Sequence, residues 1–385
     1  MQIHERSRRR FLALAGGGGI TAALACTAGG RAGGGPELVQ ALPPAVFVRH
    51  GAHNAETRLE SLPVGRLVTP NDHFYVRNHG PTPRLSPTDW RLEIRGDAAL
   101  RPVSLTYEEL VALPTVTITR YLECAGNGRA YFSELLGVAV EGDPWRDGAY
   151  GVAAWTGVPL ATLLELAGLR GSAAWVMPVG LDAEAYARPM PLAKAMTADT
   201  ILAHRMNGEV LPMDHGFPAR VVVPGWIGAA SVKWVGALEV SAREPAVEAN
   251  TEEYVMLGAD YRRPPPVLTT AVIKSAVCLP WPAVLPAGRR TIYGLAWSPF
   301  GKIARVDISL DGGRTFTRAA RLIGDNLPVA GTWWQLELDA PPGDLTITPR
   351  AVDEHGPTQP SLSQQRPNDK GYLFAAPVPH PIRFV

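Results

Sequence analysis

Cysteine is scarce in this chain. Only Cys26, Cys124 and Cys278 occur among 385 residues, and no two stand at C-x-x-C spacing. That excludes a C-x-x-C-H haem attachment and a disulfide framework. Charge of one sign is lacking too. Thirty-seven Lys and Arg face 36 Asp and Glu, for a formal net charge of +1. A nucleic-acid binder carries a strong basic excess, so that class is excluded. No apolar run reaches the roughly 20 residues of a membrane helix, so no span is expected in the mature chain. There is no internal repeat. His50, His53 and His73 show no metal-ligand spacing.

What is present fits a globular protein of two domains. Hydrophobic residues make up 46% and charged residues 19%, ordinary values for a packed fold. Gly 39 and Pro 36 are spread along the chain and read as turns between short strands.

Residues 1–30 read as an address. Ser7-Arg8-Arg9-Arg10-Phe11-Leu12 matches the twin-arginine pattern, and an apolar stretch follows that ends in Ala23-Leu24-Ala25. A charged start, a short apolar middle and a small-residue end make a signal peptide. The expected location is the periplasm. Cys26 faintly resembles a lipoprotein acceptor. Residues 30–60 read as a weakly patterned, extended leader.

From about 65 to 245 the chain mixes short strands with a few helices. Leucine spacing predicts a helix over 160–167 that stops at Gly168, and Thr106 is a candidate N-cap for residues 107–110. Val221-Val222-Val223 reads as a buried strand. Residues 252–266, ending in Arg262-Arg263-Pro264-Pro265-Pro266, read as a linker. Beyond it the period changes to two. Residues 303–310, 333–338 and 345–352 alternate as strands, with a hairpin turn at Asp311-Gly312-Gly313. Short strands without helices predict a β-sandwich of about 100 residues.

Cys124 ends a β-rich run and opens a turn, Cys124-Ala125-Gly126-Asn127-Gly128-Arg129. A thiol beside small residues and a guanidinium is placed to act as thiolate. On residues alone it is a buried structural cysteine, a nucleophile or a metal ligand. Three more segments bear on the choice: Phe74-Tyr75-Val76-Arg77-Asn78-His79, Asp214-His215-Gly216-Phe217-Pro218-Ala219-Arg220, and Ser231-Val232-Lys233-Trp234.

Together with the Cys124 turn, these segments resemble the sulfite oxidase family in order and spacing, over essentially the whole mature chain. The resemblance implies an α+β molybdopterin domain over 45–250 and an all-β, immunoglobulin-like sandwich dimerisation domain over 262–385. It implies a molybdenum–molybdopterin cofactor with Cys124 as the protein thiolate on the metal. Arg77 and Arg129 would line the substrate pocket, with Tyr254 nearby. Arg366 is the nearest match for a further pocket arginine, although its local sequence departs from the pattern. Tyr75, Arg77, His79, Asp182, His215, Arg220, Ser231, Val232 and Lys233 would hold the pterin and its phosphate.

The chemistry agrees with these roles. Arginine forks match small oxyanions, and a phosphate needs cations and backbone donors. A thiolate suits a high-valent metal centre. The implied reaction is oxidation of sulfite to sulfate, with electrons passed to an external acceptor such as a c-type cytochrome, in a homodimer. The stretch from Asp143-Pro144-Trp145 to Trp155-Thr156-Gly157-Val158-Pro159 also resembles the sulfane dehydrogenase branch, whose substrate is a carrier-bound sulfur. A nitrate or sulfoxide reductase of the same fold remains open. So do a cysteine hydrolase and a binding module. Cys278, Trp226, Trp234, Trp333 and Trp334 read as core.

Overall fold

The computed structural model describes residues 38–385. The twin-arginine segment and Cys26 lie outside them. Among the described residues, no helix is long and apolar enough to cross a membrane.

Four groups of strands build the fold. The first corrects the expectation of an extended leader. Phe47–His50 and Asn54–Thr57 form an antiparallel hairpin, and Val76–Arg77 pairs with its second strand. Weak sequence patterning here reflects a small sheet covered unevenly, not the lack of one.

The second group carries the cysteine. Val116–Glu123 pairs antiparallel along its whole length with Tyr150–Pro159, which pairs with Ile201–Met206. Ile201–Met206 in turn pairs with Arg220–Val222. Cys124 therefore leaves the end of one strand, and Arg220 stands at the start of another in the same sheet.

In the third group, Val235–Ser241 is central, parallel to Arg91–Arg95 and antiparallel to Trp175–Gly180. Its register sets Val235 opposite Gly180. Residues just outside this pair, Lys233 and Asp182, thus come to one end of the sheet. Gly180 must be small: a Cβ there would meet Asp182 Oδ1 at 2.9 Å and the Lys233 carbonyl at 3.0 Å.

Two helices form where the pattern placed them, and Ala130–Leu136 and Leu192–Ala195 add two that it did not. Thr106 caps Tyr107–Ala112 in a reciprocal box, its hydroxyl accepting from Glu109 N while Glu109 accepts from Thr106 N. Leu160–Ala167 buries Leu160, Leu163, Leu164 and Ala167 on one face and ends at Gly168. The stretch read as a linker is instead tied down. Ala249–Glu253 forms a π-helical turn, Tyr254 is buried, and Val255 bridges Val267.

The C-terminal region is strand-rich, as its period-two pattern requires. Its eight strands are joined in one hydrogen-bonded path that runs from Lys274–Val277 to Ala283–Leu285. The path curls on itself, so that the Ser275 hydroxyl donates to the Pro349 carbonyl at 2.7 Å. The expected sandwich is thus a single curled sheet, because Ile303–Ser309 pairs with both Arg318–Leu327 and Gly343–Asp353 and so joins its two halves. Trp333 and Trp334 show the pleat at work. Trp334 faces the core of the curled sheet with Ile292, Val306 and Ile347. Trp333 faces the other way, into a second core shared with Tyr121, Tyr150 and Val152. That second core welds the C-terminal region to the cysteine-bearing sheet.

Candidate active site

A cleft opens where the three N-terminal strand groups meet. Tyr75, Arg77, His79, Cys124, Asp182, His215, Arg220, Ser231, Val232, Lys233 and Tyr254 all line it. Most of these eleven residues stand at or beside strand ends, while His215 ends a 3-10 turn and Tyr254 closes the π-helical turn.

Cys124 is half-buried and held by its backbone. Its N–H donates to the Ala149 carbonyl at 3.0 Å, and its carbonyl accepts from Asn127 N at 2.9 Å. Arg77 sits on the short strand that pairs with Asn54, and its Nη1 is buried without a hydrogen-bond partner. An unpartnered guanidinium nitrogen is costly to bury, so this one points to an absent anion.

The other end of the cleft is cationic. Arg220 donates to the His215 carbonyl at 3.0 Å and to the Ser231 carbonyl at 2.9 Å, while its Nε has no partner. Lys233 donates to Asn78 Oδ1 and, at 2.6 Å, to the Asp214 carbonyl. None of these partners cancels the charge. Burial, with Arg220 nearby, pushes the Lys233 ammonium well below its usual range. Burial also lowers Arg220 to about 10, and drives His215 well below the ordinary histidine value with help from Lys233 and Arg220. His79 falls to about 3, through burial first and then Arg77 and Lys233. Both histidines are therefore neutral at working pH and act by hydrogen bonding and stacking. His79 stacks on Tyr186, with ring centroids 4.6 Å apart, and its Nε2 lies 3.3 Å from the Tyr254 hydroxyl.

Two sequence-based candidates fall elsewhere. Arg129 does not line the cleft. Its Nε donates to the Lys370 carbonyl at 3.0 Å and its Nη1 to the Asp143 carbonyl at 2.9 Å. The guanidinium lies over the Tyr372 ring, which stacks on Tyr254 with centroids 5.6 Å apart. Two backbone carbonyls thus hold the arginine one aromatic layer behind the cleft. Arg366 is exposed and also lies outside the cleft lining. The segment after it makes the contact: Leu373 N donates to the Ala125 carbonyl at 3.0 Å, beside Cys124. Gly371 is required there, because at φ +60 its Cβ would meet Arg129 Cγ at 2.7 Å.

Sequence reading also missed residues. Tyr186 and Asn78 line the cleft, and Arg188 lies over the Tyr254 ring while donating to the Ala249 and Leu268 carbonyls. Asn78 stood inside a quoted segment. Tyr186 and Arg188 had no local signal except nearness to Asp182.

The donor set suits a phosphate-bearing pterin. Cations whose hydrogen-bond acceptors are neutral, two unpartnered guanidinium nitrogens and a thiol share one cleft, so an anionic occupant with a metal end suits them. Comparison with known proteins agrees. Residues 79–248 match the family described as "Oxidoreductase molybdopterin binding domain", and residues 267–367 match the "Mo-co oxidoreductase dimerisation domain". Fold and cleft thus define a molybdopterin oxidoreductase.

The chain is 39% identical to sulfite oxidase of Gallus gallus over 84% of its own length and 74% of that protein. It is 37% identical to mitochondrial sulfite oxidase of Homo sapiens over 84% of its length, and spans 63% of that longer protein. The crystal structure of the sulfane dehydrogenase SoxCD from Paracoccus pantotrophus superposes with a TM-score of 0.76 at 35% identity, over 84% of this chain and 82% of that one. The chain belongs to the sulfite oxidase family, and its cofactor is molybdenum–molybdopterin.

Proposed function

We propose that this protein oxidises sulfite to sulfate and passes two electrons to an external acceptor, such as a c-type cytochrome. The net change is balanced: sulfite and water give sulfate, two protons and two electrons. The observation that carries the reading is the shared cleft of Cys124 and the unpartnered Arg77 Nη1. When bound, the molybdenum cofactor supplies the oxygen-atom and electron chemistry.

The residues supply position and charge. Cys124 offers the thiolate that ligates the metal. Arg77 binds and orients the sulfite oxygens, since a guanidinium stays charged at every working pH. Tyr254 shapes the same end, its ring fixed by Tyr372 and Arg188. Lys233, Arg220 and the neutral His215 hold the phosphate end, and a bound phosphate restores the ammonium charge that burial disfavours. Tyr75, His79, Asp182, Ser231 and Val232 flank the pterin. Arg129 acts from behind Tyr372.

The reading extends to the cell and the assembly. The twin-arginine segment delivers the folded, loaded enzyme to the periplasm. The C-terminal dimerisation domain pairs two copies, which light scattering at micromolar concentration checks by showing a dimer.

The test of the activity is sulfite-dependent reduction of ferricytochrome c by protein of measured molybdenum content. Turnover supports the reading, and a loaded enzyme without turnover overturns it. A second reading is favoured by the superposition on SoxCD, which covers most of both chains. There the substrate would be a sulfur atom on a carrier, and a loaded enzyme active only on a persulfidated peptide would select it.

A further inference from the structure

Arg129, Arg188, Arg220 and Lys233 rest on neutral oxygens, whereas one further interior cation pairs with a carboxylate. Lys274 Nζ lies 2.9 Å from Glu123 Oε1, and the two side chains are 6% and 3% exposed. Glu123 immediately precedes Cys124, and Lys274 opens the first strand of the C-terminal sheet. Every polar atom of the pair is engaged. Asn127 Nδ2 donates to Glu123 Oε1 at 2.9 Å, and Trp297 Nε1 donates to Glu123 Oε2 at 3.1 Å. Lys274 Nζ also donates to the Asn127 carbonyl at 2.6 Å. Asn127 in turn closes the cysteine turn. Its N–H donates to the Cys124 carbonyl, and its Oδ1 accepts from Ala149 N at 3.0 Å, next to the Cys124 N–H to Ala149 carbonyl bond.

A buried ion pair of this kind is poor value as a stabiliser, because desolvation offsets the attraction. What it does supply is a fixed geometry. Here the geometry is that of residues 123–127, which carry the thiol into the cleft. Neither member of the pair lines the cleft.

We propose that Lys274, acting through Glu123 and Asn127, is a positioning residue that sets the orientation of the Cys124 thiolate on the metal. The C-terminal domain is thereby part of the catalytic apparatus and not only an association module. This rests on the reading of Cys124 as the protein ligand.

The test uses purified holoenzyme of the double variant Glu123→Gln, Lys274→Met, which removes both charges and keeps the volume. Molybdenum content is measured, and the molybdenum(V) electron paramagnetic resonance spectrum is recorded after partial reduction with dithionite. The expected result is full loading, a spectrum shifted from wild type, and kcat about tenfold to a hundredfold lower with KM unchanged. Lys274→Arg, which keeps the charge, is expected to return the spectrum and kcat to near wild type. A loaded double variant with wild-type spectrum and kcat overturns the proposal. Should the double variant not accumulate, Glu123→Asp keeps both charges and withdraws the carboxylate by one methylene. A shifted spectrum then supports the proposal, and an unshifted one overturns it. Cys124→Ser separates the two layers. If it leaves the spectrum unchanged, the ligand reading fails and the proposal with it. If it shifts the spectrum while the double variant does not, the positioning role alone fails.

Discussion

Cations of the cleft and cations of the curled C-terminal sheet keep different company. Around the cleft, Arg129, Arg188, Arg220 and Lys233 all donate to carbonyl or amide oxygens. On the C-terminal sheet, Arg289 pairs with Glu337, Arg350 with Asp307, and Arg383 with Asp344. A carbonyl satisfies a donor without cancelling its charge, whereas a carboxylate does both. The first arrangement keeps positive potential for an anionic guest; in the second these three pairs cancel theirs, although Arg290 on the same sheet rests on the Pro286 and Ala287 carbonyls. Function is thus visible as charge left unbalanced, and scaffold as charge that is settled.

Removing the thiol should break the contrast most severely. Cys124→Ser is expected to lower kcat more than about a hundredfold, beyond the loss typical of outer-shell partners. Steady-state turnover per molybdenum atom checks this. Arg77→Met should raise KM for sulfite by about tenfold to a hundredfold, the worth of one or two charge-assisted bonds, with loading preserved. Arg220→Met should act on the other end, reducing pterin content after purification, as fluorescence of the acid-released cofactor would show.

At positions of the C-terminal sheet away from Lys274 the effects should be on stability alone. Trp334→Ala should destabilise the fold by about 3–5 kcal/mol in denaturant titrations, leaving turnover per loaded molecule unchanged. His380 sharpens the point through pH. It is buried, with Nε2 3.0 Å from the Pro280 carbonyl, and burial lowers its pKa to about 4, aided by Arg146. Between about 4 and the ordinary 6.5 the unfolded chain binds the extra proton and the folded chain does not. Its contribution to stability should therefore fall as pH drops through that window, and His380→Phe should make the slope shallower by that one group's share, with His79 and His215 still contributing. The smallest effect belongs to the surface: Arg289→Ala should leave the melting temperature within error, because an exposed pair contributes little.

How much of this was legible beforehand varied by element. The capped helix at 107–112 and the leucine helix at 160–167 were readable because their signals are local. The strands at 303–309 and 331–340 were readable from alternation. The hairpin at 47–57 was not, since four-residue strands with mixed burial carry little periodicity. Nor was the anchoring of 249–267, where a π turn, a buried tyrosine and an isolated bridge replace a free linker. In the cleft, the cysteine turn and the segments with Arg77, His215 and Lys233 stood out as clustered polar residues between apolar runs. Tyr186, Arg188 and Tyr372 did not, because their edge-on, cation–π and stacked contacts with Tyr254 depend on groups brought from distant segments.

By itself the sequence determined which groups are available: one thiol in a tight turn, cations at strand ends, and alternating strands behind them. Chain-local chemistry suffices for that, since caps, turns and pleats act over a few residues. Tertiary structure alone decided which cations face the cleft. Arg129 was turned aside by the Lys370 and Asp143 carbonyls, and Lys274 was carried across the fold to Glu123. Those choices are made by competition among oxygens that meet only once the sheets have packed.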